Sequence, residues 1–236
     1  SKKEKGAFLG LFAINNSSPS KLSKAKAYLK RYESFEANPI YLDSALQFLQ
    51  NSTDNFTNYI QYYYLKDDSK GLINYVMSNP LDSNKYSNTD MAMAYSRMGE
   101  VFASKTLSNE AEVYFKKSVK LMPYIIDYKI KYGSFLVNND QIDIAEQIFS
   151  DALNLNPTIK QVHLNLGLIA ILKGEFIIAE SRLKQSLALD PDYILAYENL
   201  VLSAQIQNKN KDVKFYLNKI LEIAPQHKAK QILENL

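Results

Sequence analysis

The sequence has no cysteine and no tryptophan, only two histidines, and just seven glycines and seven prolines in 236 residues. Without cysteine there are no disulfides, no thiolate metal sites and no cysteine nucleophile. That lack is compatible with cytoplasm and with a bacterial periplasm alike. His163 and His227 stand far apart with no thiolate beside them, which does not build a zinc site. None of the glycines falls in a GxxxxGK[ST] or GxGxxG pattern, so no phosphate-cradling loop is encoded. A large charge of one sign is also missing: the net charge is +3, too small to argue for nucleic-acid binding. No apolar run reaches the ~20 residues a membrane helix needs. The longest runs from Gly6 to Ile14 (GAFLGLFAI), behind Lys2, Lys3 and Lys5.

What is present is ordinary for a soluble globular chain: 46% hydrophobic and 22% charged residues. Frequent Asn, Lys, Ile and Tyr suggest an AT-rich genome. Charge is unevenly placed, because residues 1–31 hold eight of the 28 basic side chains and one of the 25 acids. The remainder is mildly acidic. The apolar run at 6–14 is open to three readings: a helix packing on the rest of the fold, the end of a membrane helix, or a signal-peptide core. The first is favoured because the run is too short to span a bilayer, and the signal peptide ranks last because no small-residue cleavage pattern follows.

A fixed period organises the second half. Pro123, Pro157, Pro191 and Pro225 each follow the last by 34 residues. Gly99, Gly133 and Gly167 keep the same interval, with Val201 fourth; so do Ala111, Ala145 and Ala179, with Val213 fourth. A second small position reads Ser118, Ala152, Ser186, Ile220. Large apolar residues hold the frame at Phe115, Phe149, Leu183, Leu217 and at Met98, Tyr132, Leu166, Leu200. Glycine inside a helix costs ~1 kcal/mol against alanine. A cost repeated on a period is explained by close helix packing.

These residues resemble the tetratricopeptide repeat, a pair of antiparallel helices with a 34-residue period. The resemblance covers 90–227, as repeats 92–125, 126–159, 160–193 and 194–227. It implies an all-α, right-handed solenoid in which the proline ends the second helix and starts the next. Residues 1–89 read as an N-terminal helical segment with two degenerate pairs, at 21–37, 41–50, 55–66 and 69–78. Leu81–Asp90 reads as a connecting loop and 228–236 as a capping helix. Ser108 and Asn139-Asp140 read as helix starts.

Single residues add little chemistry. His163 takes a position where the family packs an aromatic ring, so a packed histidine is expected there, and a solvated one at His227. Asp67-Asp68 and Asp190-Pro-Asp192 read as helix caps. Tyr62, Tyr63 and Tyr64 point to different helix faces, so at least one is expected in solvent. Asn15, Asn16, Asn51 and Asn55 open N-x-[ST] triplets, which an Asn-rich chain produces by chance. No nucleophile–base pair is visible, so no catalytic, cofactor or metal residue is expected and the chain reads as a non-enzyme.

The resemblance places positions 2, 5, 6, 9, 12 and 13 of each first helix on the concave side. The expected groove residues are Arg97, Ile130, Lys131, Leu164, Asn165, Leu168, Leu195, Asn199 and Leu202, with Ile171, Leu172, Gln205 and Ile206 at the last two positions. Ile130, Leu164 and Leu168 stand where a carboxylate clamp for chaperone tails would need polar groups. The expected partner is therefore an apolar or amphipathic segment of a protein, unless 7–14 or 227–236 already cover the strip. A second reading makes the chain the soluble tail of a larger bacterial envelope protein, resembling an O-antigen ligase or polymerase. The sequence opens on Ser1 rather than Met, and in that reading a membrane segment precedes it. Bacterial cytoplasm and cell envelope both remain open.

Overall fold

The computed structural model describes residues 21–34, 38–50, 56–79 and 85–235, and every regular element among them is helical. The chain divides into two compact units, Ser1–Lys105 and Thr106–Leu236. The boundary between the units falls inside the first 34-residue repeat of the sequence frame.

The first unit contains α1 (Lys21–Ser34), α2 (Pro39–Leu49), α3 (Phe56–Leu65), α4 (Ser69–Ser78) and α5 (Asn88–Ser104). α1 packs on α2 and α3 on α4. Ala25, Leu29, Leu42, Ala45, Leu49 and Tyr62 form the core of the first pair and its neighbour. Local signals start these helices. The Asn38 side chain accepts from the Ile40 N–H at 3.1 Å, with Pro39 as the first helical residue. Asp68 accepts from the Gly71 N–H at 2.7 Å. Ser87 accepts from the Asp90 N–H at 3.1 Å and donates to its carboxylate at 2.7 Å. That reciprocal cap begins α5 at Asn88, so the end of the expected Leu81–Asp90 loop is helix.

The tyrosines of α3 turn inward. Tyr62 is buried, and Tyr63 and Tyr64 are half-buried, contrary to the expectation that one stands in solvent. Tyr63 meets Tyr62 edge-on at 5.3 Å and Tyr75 at 5.8 Å. The Arg97 guanidinium lies 3.8 Å over the Tyr64 ring. Core packing for Tyr62, the Tyr75 ring of α4 for Tyr63 and the Arg97 guanidinium of α5 for Tyr64 thus supply partners on all three faces.

The second unit contains α6 (Ser108–Leu121), α7 (Ile126–Asn138), α8 (Ile142–Leu155), α9 (Lys160–Leu172), α10 (Phe176–Leu189), α11 (Ile194–Ile206), α12 (Asn210–Ile223) and α13 (Ala229–Glu234). α7, α9 and α11 have 13 residues each, and α6, α8, α10 and α12 have 14. The periodic small residues sit at the crossings. Ala111, Ala145, Ala179 and Val213 have no exposed surface. A Cβ on Gly133 would stand 2.6 Å from the Phe149 ring.

The turns inside the repeats differ from expectation. Thr106, Asp140, Gly174 and Asn208 adopt left-handed backbone, with φ of 59°, 57°, 76° and 55°. These positions are again one period apart, and Asp67 does the same at 55° between α3 and α4. After Asp140, the Gln141 N–H reaches back to the Leu136 carbonyl at 2.9 Å; Glu175 to Ala170 and Lys209 to Ala204 repeat the bond. This closes the first helix as a Schellman motif. Asn139-Asp140 therefore ends α7 rather than starting α8. Ser108 lies inside α6, whose cap residue Leu107 makes no side-chain bond. The periodic prolines also have one task, not two. Pro157 follows the C-cap of α8, and α9 begins only at Lys160. Asn156 accepts from the Thr158 N–H at 2.8 Å and sets that turn.

At the C-terminus α13 is shorter than the expected 228–236. The His227 Nδ1 accepts from the Ala229 N–H at 3.2 Å, and its Nε2 lies 3.5 Å from Glu198. His227 is thus an engaged, half-buried capping residue rather than a solvated one. His163 is packed as expected: buried, with Nε2 on the Pro157 carbonyl at 2.8 Å.

Candidate partner-binding surface

Two helices of the second unit are apolar on more than one face. On α11, Ala196, Leu200, Val201, Ser203 and Ala204 are buried. On its other side Leu195, Leu202 and Ile206 remain 49%, 39% and 52% exposed. With Asn199 they fall at intervals of four, three and four residues, which is one stripe along the helix. A helix with one covered face normally turns polar residues to water. At three stripe positions α11 instead turns apolar side chains to the surface.

α9 packs beside α11 and contributes less of its own surface. Leu164 is buried in a core cluster with Ala196 and Leu200 of α11. It is a core residue with little free surface, which corrects its expected place in an open patch. Ile171 is buried too. Leu168 is half-buried, and Leu172 at the helix end is 54% exposed. Leu172 and Ile206 hold the thirteenth position of successive first helices.

The polar candidates have local partners. The Asn165 amide donates to the Gln161 carbonyl at 2.8 Å. Lys131 lies 3.8 Å from Asp127, one turn back on α7. Ile130 and Asn199 are half-buried. Glu198 pairs with Lys228 at 3.0 Å, which ties the C-terminal segment to α11. Arg97 belongs to the first unit, where it pairs with Glu100 at 3.3 Å and donates to Gln61 at 3.4 Å.

The chain's own C-terminal helix does not cover the stripe. α13 seats Ala229 against Val201, Ala204, Val213, Leu217 and Ile220, at the end of the last repeat. The other expected cover, 7–14, lies outside the described residues, as do the four asparagines that open N-x-[ST] triplets. Among the described residues no group of three or more His, Cys, Asp or Glu side chains gathers as a metal site. Among them, too, no helix is long and apolar enough to cross a membrane.

Burial pushes Tyr193 and Tyr216 up from the ordinary tyrosine value. The Lys160 ammonium holds Asp190 below the usual carboxylate range. Lys160 of α9, Asp190 after α10 and Tyr193 before α11 meet at the junction between repeats.

No family model matches the sequence, and no curated protein matches it. Solved structures do. YrrB, described as a TPR protein with an unusual peptide-binding site, aligns over 90% of this chain and 100% of its own, at 19% identity and a TM-score of 0.55. TTC0263, a thermophilic TPR protein of Thermus thermophilus, aligns over 89% and 97%, at 19% identity and a TM-score of 0.60. PilF of Pseudomonas aeruginosa aligns over 91% and 95%, at 14% identity and a TM-score of 0.64. At these identities the likeness is one of fold.

Proposed function

We propose that this chain, which has the tetratricopeptide-repeat fold, is a protein-interaction scaffold that holds an apolar or amphipathic segment of a partner on the stripe of α11. The observation that carries the reading is the exposed series Leu195, Leu202 and Ile206 on a helix whose other face is already in the core. A partner helix with apolar residues at matching intervals would cover it, and the Asn199 amide would meet the partner's polar edge. YrrB, with a peptide-binding site of its own, has the same fold. We further infer that the chain is not an enzyme, because no nucleophile–base or metal constellation accompanies the stripe.

Selection of a random peptide library on the intact protein tests the reading. Selected peptides should carry apolar residues at helical spacing and lose binding to the Leu195→Asp, Leu202→Asp variant. Peptides that bind the variant equally well would move the site elsewhere.

The envelope-tail reading is the alternative, favoured by the apolar run at 6–14 behind a basic flank. The gene's upstream sequence tests it: membrane spans in frame would support it, and a start codon close before Ser1 would remove it.

A further inference from the structure

The C-terminal segment repeats the packing of α11. Ala196 is buried with Ala170, Ala179 and Leu183. Ala229 is buried with Ala204, Val213 and Leu217, each one period further along the chain. Ala229 itself follows Ala196 by 33 residues rather than 34. α13 therefore lies where the first helix of a further repeat would lie, shifted by one residue. The same shift gives Lys228 the place on this segment that Leu195 has on α11, a groove position.

Lys228 meets the one charge of α11. Among the 13 residues of that helix only Glu198 is charged. It stands three residues after Leu195 and four before Leu202, one turn from each on the same side. The equivalent residues of the two preceding repeats are Ile130 and Leu164. The Lys228 Nζ lies 3.0 Å from the Glu198 carboxylate, and the two side chains are 70% and 28% exposed. The turn that carries Lys228 is held on both sides. His227 Nδ1 accepts from the Ala229 N–H at 3.2 Å, and Ala229 has no exposed surface. An apolar partner on the stripe takes water away from its border. A carboxylate that loses water there costs much more alone than with an ammonium beside it.

We propose that Lys228 sets the charge preference of the partner surface. By neutralising Glu198 it lets the α11 stripe take an uncharged apolar face; without it the stripe takes a face that brings its own lysine or arginine. This role rests on the stripe reading given above.

Parallel selections from one random peptide library test it. The targets are the intact wild type, Lys228→Gln, and Lys228→Gln with Glu198→Gln, each checked for helical content by circular dichroism. Glutamine is a good helix former and both positions are partly exposed, so the variants keep the fold. Peptides from the wild type should show no excess of Lys or Arg beside their apolar residues. Peptides from Lys228→Gln should carry one such residue about a turn away from the apolar pair, and the double variant should lose that excess. A peptide selected on the wild type should bind Lys228→Gln about five-fold more weakly, the size of one exposed ion pair, and regain affinity on the double variant. Equal charge composition from all three targets, or unchanged affinity on Lys228→Gln, would overturn the proposal and leave the stripe reading standing. Selected peptides indifferent to Leu195→Asp with Leu202→Asp would remove the stripe and this role of Lys228 together.

Discussion

Gly133 lies under Phe149 with no room between them: a methyl group on its Cα would stand 2.6, 2.8 and 2.9 Å from three atoms of the ring. One repeat on, Gly167 stands in the same relation to Leu183, at 2.8 Å from its Cγ. Alanine at 133 gains ~1 kcal/mol of helix propensity. It loses ~1–3 kcal/mol to overpacking, because Phe149 is wholly buried and its ring is stiff. Gly133→Ala should therefore lower stability by about 1 kcal/mol in denaturant unfolding. Adding Phe149→Leu should cost less in that background than in the wild type, and the double-mutant cycle reads the difference.

Gly174 obeys a different rule. It has φ of 76°, and a Cβ added to it would have nothing within 4 Å, so its constraint is backbone and not space. Thr106, Asp140 and Asn208 hold the equivalent turns with side chains present. Gly174→Asn should be nearly neutral. Gly174→Val should cost ~1–2 kcal/mol, the penalty of a β-branched residue in left-handed backbone. Thermal melts of the two variants check the contrast; equal melting temperatures would reject it.

The repeat frame was legible because its small residues are forced by contact. Gly133, Ala145 and Pro157 recur wherever helices cross or end, and each occurrence reinforces the others. The turns were harder to read. Asp, Gly and Asn at 140, 174 and 208 are the residues that tolerate left-handed backbone, but Asp and Asn are equally good N-caps, and Thr106 hid the pattern. The stripe was only partly legible for another reason. α9 and α11 are apolar almost all round, so no polar face marks which leucine is core and which is surface. Leu164 and Leu168 look alike in sequence; packing against Ala196 and Leu200 buries the first.

Glu112 gives a pH test. Its carboxylate sits below the ordinary value near 4.5 because Lys116 bonds to it at 2.6 Å, helped by Gln141 and Tyr132 and opposed by burial. A folded pKa below the unfolded one stabilises the fold above the unfolded value and loses that contribution as pH falls through the folded value. Acidification below about pH 4.5 should thus destabilise the wild type more steeply than Glu112→Gln. Chemical denaturation at stepped pH measures the two slopes, and parallel slopes would contradict the assignment.

Leu164 and Leu202 separate fold from function on the stripe. Leu164 is 9% exposed and lies in the core cluster between α9 and α11. A carboxylate placed there loses the burial of a leucine, ~1.5–3 kcal/mol, and adds the cost of an unpaired buried charge. Leu164→Asp should lose its cooperative melt or unfold at much lower temperature. Leu202 is 39% exposed and Leu195 49%, so aspartate at either can stay hydrated. Leu195→Asp with Leu202→Asp should keep the helical circular dichroism of the wild type and melt within a few degrees of it, a shift expected for a change of about 1 kcal/mol in a domain of this size. The same double variant should lose binding of library-selected peptides, because it sets two charges where an apolar partner face must dehydrate. A double variant that melts as early as Leu164→Asp would mean that the stripe is covered within the chain. One that folds normally and binds as the wild type does would place the partner on another surface.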